Sequence, residues 1–314
     1  MDTKQILVTG AAGFIGFHLV RFLLKRNDLV IGLDNFNSYY DPKLKRARAA
    51  ASGIDILDVD IRNTEQLKKI LAQNQITHVV HLAAQAGVRH SLSHPDDYIS
   101  ANVQGFTSVL EACRSKPGVK LIYASSSSVY GLNKKIPFSI EDRTDNPANL
   151  YGATKKANEV MAQSYHHLFG IPVTGLRFFT AYGPWGRPDM ACYNFTKLIS
   201  EGKPIQVFNQ GKMKRDFTYI DDIIKGIAAA IDLGAACELF NLGNNRPIDL
   251  LYMIELLENA LGKKAIKEFL PMQPGEMVET YADIDKSVQQ LGFQPSVQLE
   301  DGIIRFVDWY KSYQ

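Results

Sequence analysis

Along the first 180 residues, short unbroken apolar runs alternate with longer stretches in which apolar residues return every three or four positions. The first pattern predicts strands buried on both faces, and the second predicts amphipathic helices. Strands are expected at Gln5–Thr9, at LVIGLD ending on Asp34, at IDILDVDI ending on Ile61, at Thr77–Leu82, at Lys120–Ala124 and at PVTGLRFF. Helices are expected between them: FHLVRFLLKR, a segment from near Asn63, Tyr98–Arg114, and a run from Tyr151 that stops at Gly170, where glycine suits a left-handed cap. Strands separated by helices define an α/β chain with a doubly wound parallel sheet.

After Thr180 the pattern changes. The loop from Thr180 to Met190 is rich in glycine and proline, as turns and site-building loops are. Helical segments at Asn194–Glu201, Ile220–Leu233 and Leu250–Leu261 alternate with short extended runs such as IQVF. KMKRDFTYIDD reads as a loop, ELFNLG as one more strand of the main sheet, and GKKAIKEFLPMQPGEM as a strand and loop. The last helix is expected to end near Tyr310. The expected organisation is a dinucleotide-binding domain over residues 1–180 with a returning segment near 215–248. A smaller, interleaved substrate domain takes residues 181–214 and most of 249–314.

Composition narrows the classes. The chain has 314 residues, 46% of them hydrophobic, and a net charge of +2, with no basic block of the kind that binds nucleic acid. Its three cysteines, Cys113, Cys192 and Cys237, are widely spaced, which suits buried thiols in a reducing compartment rather than a disulfide framework or a metal site. No window is apolar over a length that spans a bilayer. A cytoplasmic protein with no metal, membrane or nucleic-acid partner is the expectation.

The first strand runs into Gly10-Ala-Ala-Gly13-Phe14-Ile15-Gly16 and then a helix, the context in which a glycine fingerprint signals a dinucleotide. Gly10 would allow the tight turn, Gly13 the approach of backbone N–H groups to a pyrophosphate, and Gly16 close helix–strand packing. This makes the sheet Rossmann-type. Asp34 ends the second strand eighteen positions after Gly16, where an acid accepts hydrogen bonds from the ribose hydroxyls and repels a 2′-phosphate. NAD is therefore expected rather than NADP. Lys43, Lys45 and Arg46 read as a solvated helix face. Asn35 follows Asp34, and Asp60 and Ile61 suit the adenine edge, although Asp60 suits equally an N-cap for the next helix. Leu82, Ala83, Ala84 and Gln85 leave room for the cofactor beside the fourth strand, and Asn102, Ser125 and Phe178 complete the expected cofactor set. Arg89 reads either as an anion contact or as a surface arginine, and His81 as a satisfied core histidine.

The chemistry gathers in Leu121–Lys156. An apolar run ends in four serines, Ser125 to Ser128, and Tyr151 and Lys155 follow four residues apart, on one face of a helix. A nearby ammonium lowers a phenol pKa, and a serine hydroxyl can bind the oxygen that the phenol deprotonates.

Together these residues resemble the extended short-chain dehydrogenase/reductase superfamily and, within it, the nucleotide-sugar epimerases. AAQAGVR, RFFTAYGPWGRPDM and KRDFTYIDD look like the branch acting on UDP-glucuronate at C4. The resemblance implies Tyr151 as base, Lys155 as its partner, and Ser126, four before Tyr130, as the serine on the reactive hydroxyl. It implies an isomerase with tightly held NAD that is regenerated each cycle, converting UDP-glucuronate to UDP-galacturonate through a 4-keto sugar. Relatives that dehydrate or decarboxylate tend to carry a glutamate where this chain has Ser128, and glucose/galactose epimerases an asparagine where it has Thr180. Ser127, Ser128 and Thr180 are thus expected to cradle a C6 carboxylate. The resemblance further implies Arg187 in the sugar loop, Gln206 and Phe208 at uracil, Arg215 on the diphosphate and Glu276 on the uridine ribose, with Arg89 on the substrate side. Gln273 stands where the family often has an arginine, so one phosphate contact departs from the pattern. A homodimer is implied, pairing the helices near Tyr98–Arg114 and Tyr151–Phe169. The alternatives are a UDP-glucose/galactose 4-epimerase, then a UDP-glucuronate decarboxylase, and from another class a dinucleotide-binding regulator without catalysis.

Overall fold

The computed structural model describes residues 4–273 and 277–314. Its elements run β1 (Gln5–Thr9), α1 (Phe14–Lys25), β2 (Leu29–Asp34), α2 (Pro42–Ala50), β3 (Ile56–Asp58), α3 (Thr64–Gln73), β4 (His78–His81), α4 (His90–Ser93) and α5 (Pro95–Tyr98). A π-helical turn (Ile99–Gln104) leads into α6 (Gly105–Arg114), then β5 (Lys120–Ser126), α7 (Leu150–Phe169), β6 (Val173–Phe178), β7 (Thr180–Tyr182), α8 (Ala191–Ser200), β8 (Ile205–Phe208), β9 (Lys214–Tyr219) and α9 (Ile220–Leu233). The remainder is β10 (Cys237–Leu242), β11 (Pro247–Asp249), α10 (Leu250–Leu261), β12 (Lys267–Leu270), β13 (Glu279–Thr280), α11 (Asp285–Leu291) and α12 (Leu299–Tyr313).

Seven strands form one parallel sheet in the order β10-β6-β5-β4-β1-β2-β3. The alternation of side chains along each strand divides the apolar residues between its two faces. Ile6, Val8, Val80, Ile122 and Leu176 join one core with α1 and α9, while Leu7, Val79, Leu121 and Val173 join another with α3 and α6. The strand order reverses between β1 and β4, so the chain leaves a crevice at their carboxyl ends, where open α/β sheets bind ligands.

The charged run at 214–219 is not a loop. It is β9, paired antiparallel with β11 and parallel with β7 and β13 in a separate small sheet, while β8 and β12 form a two-stranded one. Asp216 explains why so polar a strand is buried. Its carboxylate accepts backbone N–H groups of Asn244, Asn245 and Ala282 at 2.5, 3.0 and 3.0 Å, tying three chain segments together. The helix expected over Tyr98–Arg114 is broken by the π-helical turn, and β3 is shorter than expected. Among the described residues no helix is long and apolar enough to cross a membrane.

Candidate active site

A cleft of about 1160 Å³ runs from the glycine turn, past the ends of β4, β5 and β6, to β8 and β9. At one end Gly10 sits at φ +71°, and a Cβ there would lie 2.7 Å from the Ala83 nitrogen. A Cβ on Gly16 would lie 2.1 Å from the Gly10 oxygen, so the turn closes only on bare backbone. The Gly13 N–H itself donates to the Gly10 carbonyl at 2.9 Å and so secures the turn. Gly13 is also the N-cap of α1 and supplies no side-chain cap, leaving the first N–H groups of the helix for an anion.

Asp34 ends β2 with one carboxylate oxygen accepting from Ala12 N at 3.1 Å and the other from Phe36 N at 2.9 Å. Each oxygen keeps a further lone pair for a ribose hydroxyl. Burial raises the Asp34 pKa, and Lys45 opposes that rise. Lys45 is therefore not on a solvated face. It is buried, bonds the Asn37 carbonyl and side chain, and lines the cleft. Lys43 and Arg46 are exposed as expected. Asp60 is gripped by Arg62, which holds its carboxyl down at about 2, and it accepts from Asn35 at 3.0 Å. It is not the helix cap: Asn63 caps α3 through Gln66 N. Gln85 is held by Asn102, which bonds both its backbone N–H and its carbonyl, while the buried Gln85 Nε2 has no partner. His81 is the core histidine its position suggested, bonded to Thr9 Oγ1 at 2.8 Å.

The stretch that carries the serines, Tyr151 and Lys155 is assembled by β5 and α7. Asn149 caps α7 through Gly152 N, and α7 ends at Gly170 in the left-handed conformation. This sets Tyr151 and Lys155 on the face turned to the end of β5. Lys155 is 2% exposed, donates to the Ala124 carbonyl at 2.9 Å, and is lowered by burial to about 8. Burial raises the Tyr151 phenol, opposed by a hydrogen bond with Ser126 and by the charge of Arg187. The Lys155 ammonium is anchored on the Ala124 carbonyl, one turn along α7 from Tyr151. Below the serines lies a pair that the motifs did not reveal. Glu159, one turn beyond Lys155, accepts from Ser125 Oγ at 2.6 Å and from Arg177 Nε and Nη2 at 2.9 Å each. Ser125 is thereby locked to α7 and β6.

At the far end, Thr180 lies on β7, and Arg187 donates through Nε to Asp189 at 3.0 Å. Burial works against the Arg187 charge, but Asp189 outweighs it and raises the pKa. Tyr39 donates to the same carboxylate at 3.1 Å. Arg89 stacks its guanidinium over Phe208 at 4.6 Å. Arg215 donates to the carbonyls of Lys214 and Val278.

All the expected cofactor residues line the cleft except Asn102, which stands behind Gln85. So do the expected substrate residues Arg89, Ser126, Ser127, Ser128, Tyr151, Thr180, Arg187, Gln206, Phe208 and Arg215. Glu276 lies outside the described residues. Sequence reasoning missed Tyr39, Lys45 and Asp189. The Lys45 signal was its place beside Leu44, the one large apolar residue of a polar helix. Among the described residues no cluster of His, Cys, Asp or Glu is arranged to hold a metal ion.

A Rossmann-type sheet with a glycine turn, an acid after β2 and a Tyr-Lys pair against a serine strand end defines a dinucleotide-dependent enzyme of the short-chain dehydrogenase/reductase type. The model of the NAD dependent epimerase/dehydratase family matches residues 6–243, and the chain belongs to that family. It is 50% identical to UDP-glucuronate 4-epimerase 4 of Arabidopsis thaliana, over 98% of this chain and 75% of that protein. Among solved structures it resembles the UDP-glucuronic acid 4-epimerase of Bacillus cereus in complex with UDP-glucuronic acid and NAD, at 39% identity and TM-score 0.92, covering 99% of this chain and 100% of that one. A UDP-glucose 4-epimerase of Thermotoga maritima with UDP-glucose is further off, at 29% identity and TM-score 0.89, covering 98% and 99%. NAD fits the residues present: bare backbone at Gly10, an uncapped α1, and an unpartnered buried Gln85 amide.

Proposed function

We propose that this chain is an isomerase that interconverts UDP-glucuronate and UDP-galacturonate at C4. The observation that carries the reading is a set of small hydroxyls in the cleft that holds Tyr151. Ser126, Ser127 and Ser128 come from one strand end and Thr180 from another, with a serine at 128 where relatives that decarboxylate tend to carry a glutamate. The 50% identity to a UDP-glucuronate 4-epimerase supports it.

In this reading Tyr151, as phenolate, removes the proton of the C4 hydroxyl, while Ser126 hydrogen-bonds the same oxygen. Lys155, cationic below about pH 8, favours the phenolate. NAD, when bound, supplies the acceptor for the C4 hydride and a positive ring charge that also favours the phenolate. A 4-keto sugar results, and it turns over in the cleft so that hydride returns to the opposite face. Gln206, Phe208 and Arg215, with Glu276, hold the UDP end while this happens, and Arg89 and Arg187 line the path. The 4-keto uronic acid is a β-keto acid, which loses CO₂ when its carboxylate stands perpendicular to the ketone plane. Ser127, Ser128 and Thr180 hold the carboxylate away from that alignment by hydrogen bonds.

Residues 1–180 and 215–248 serve mainly the cofactor and 181–214 and 249–314 mainly the UDP-sugar. We also propose a homodimer, supported by exposed Ile99, Val160 and Leu168 on the π-helical turn and α7. A cytoplasmic setting suits the free thiols of Cys113, Cys192 and Cys237. The test is to incubate the purified protein, without added NAD, with UDP-glucuronate and separately with UDP-glucose, and to identify products by NMR. UDP-galacturonate is expected; UDP-xylose, or turnover of UDP-glucose alone, overturns the reading.

A further inference from the structure

We infer that Arg48 is a positioning residue for the sugar end of the cleft, fixing the loop that carries Arg187 against the glycine turn. The inference rests on the functional reading above only for its kinetic arm. Arg48 projects from α2 and is fully buried. Its five hydrogen bonds reach four neutral oxygens. Nε and Nη2 donate to the Trp185 carbonyl at 3.1 and 2.6 Å, Nη2 to the Gly186 carbonyl at 3.1 Å, and Nη1 to the Ala12 carbonyl at 3.2 Å and the Tyr40 hydroxyl at 2.6 Å. One planar fork therefore joins the turn between Gly10 and Gly13 to the residues just before Arg187.

The loop needs such a hold. Trp185 sits at φ +63°, a conformation that a bulky side chain adopts only where its surroundings impose it. The Trp185 ring packs against Phe17, Trp309 and Tyr313. The preceding carbonyl, of Pro184, is bonded by His18 Nε2 at 2.8 Å, so three consecutive carbonyls are captured by side chains of α1 and α2. Beyond them Arg187 pairs with Asp189, which Tyr39 also bonds, and Arg187 acts on the Tyr151 phenol. A buried guanidinium is costly without a carboxylate, and it repays that cost only when several acceptors are met at once. Lysine, with a compact ammonium, cannot span these oxygens.

The test uses the full-length, NAD-loaded protein as wild type, Arg48→Lys and Arg48→Met. Amide hydrogen exchange is followed by mass spectrometry, and steady-state kinetics and products are measured with UDP-glucuronate. Exchange in residues 183–190 is expected to rise about tenfold while α12 and β5 stay unchanged. The kcat per bound NAD should fall about 10–100-fold, with a larger share of UDP-pentose. Should Arg48→Met fail to fold, Arg48→Lys decides, since it keeps the charge. Unchanged exchange in 183–190, a rise spread evenly over the chain, or an unchanged kcat and product share despite local exchange each overturns the inference. A wild type that makes no UDP-galacturonate sinks the functional reading instead, and the exchange measurement then decides the role of Arg48 by itself.

Discussion

The two ends of the cleft are built by different means. At the cofactor end the shape comes from backbone: a glycine turn against Ala83, an uncapped helix start, and an acid whose oxygens are already partly engaged by the chain. At the sugar end it comes from side chains that meet across distant elements, such as Tyr39 with Asp189, or Arg89 over Phe208. A ligand held rigidly through every cycle suits the first construction. A sugar that must turn over between two half-reactions suits the second, where side chains rather than close-fitting backbone line the space around it.

The sharpest break comes where the ends meet. Tyr151→Phe should lower kcat by roughly 10²–10⁴-fold while NAD stays bound, because the phenol acts on the proton and not on the cofactor's affinity. Next is the cofactor end. Gly10→Ala places a Cβ 2.7 Å from Ala83 N at φ +71°, so it should cost about 1–3 kcal/mol in stability and deplete the purified protein of NAD, read by thermal melting and absorbance.

These two ends were unequally legible in the sequence. Gly10, Gly13, Gly16 and Asp34 stand at spacings fixed by a single strand–turn–helix–strand unit, β1 to β2, so local reasoning reaches them. Arg48 and Lys45 sit on a helix whose mean polarity reads as solvated, and only the folded loop at 184–186 reveals what Arg48 meets. Asp189 pairs locally with Arg187, but its bond to Tyr39 spans 150 positions of chain. β9 was read as a loop because Lys214, Arg215 and Asp216 break its apolar pattern; the backbone groups that Asp216 satisfies lie on segments far along the chain.

At the sugar end, Thr180→Ala and Ser128→Ala should each raise the UDP-pentose released per turnover several-fold, measured by NMR, with NAD content unchanged. If neither does, these hydroxyls bind substrate without guarding its carboxylate. The smallest effect belongs to a cofactor-side histidine. Burial holds His81 at about 3, below the ordinary 6.5, so only the unfolded chain takes up its proton between those values. The stability His81 contributes is present above pH 6.5 and is lost as pH falls through that window, by less than about 1 kcal/mol from pH 7 to 6. Urea midpoints at the two pH values should move closer together in His81→Asn than in wild type.

The central claim is that hydride leaves and returns to C4 within this one cleft. UDP-glucuronate deuterated at C4, incubated with the purified protein and no added NAD, tests it directly by NMR. The expected product is UDP-galacturonate with deuterium still at C4 and the configuration inverted. Product that has exchanged its deuterium for solvent hydrogen at C4 would contradict it.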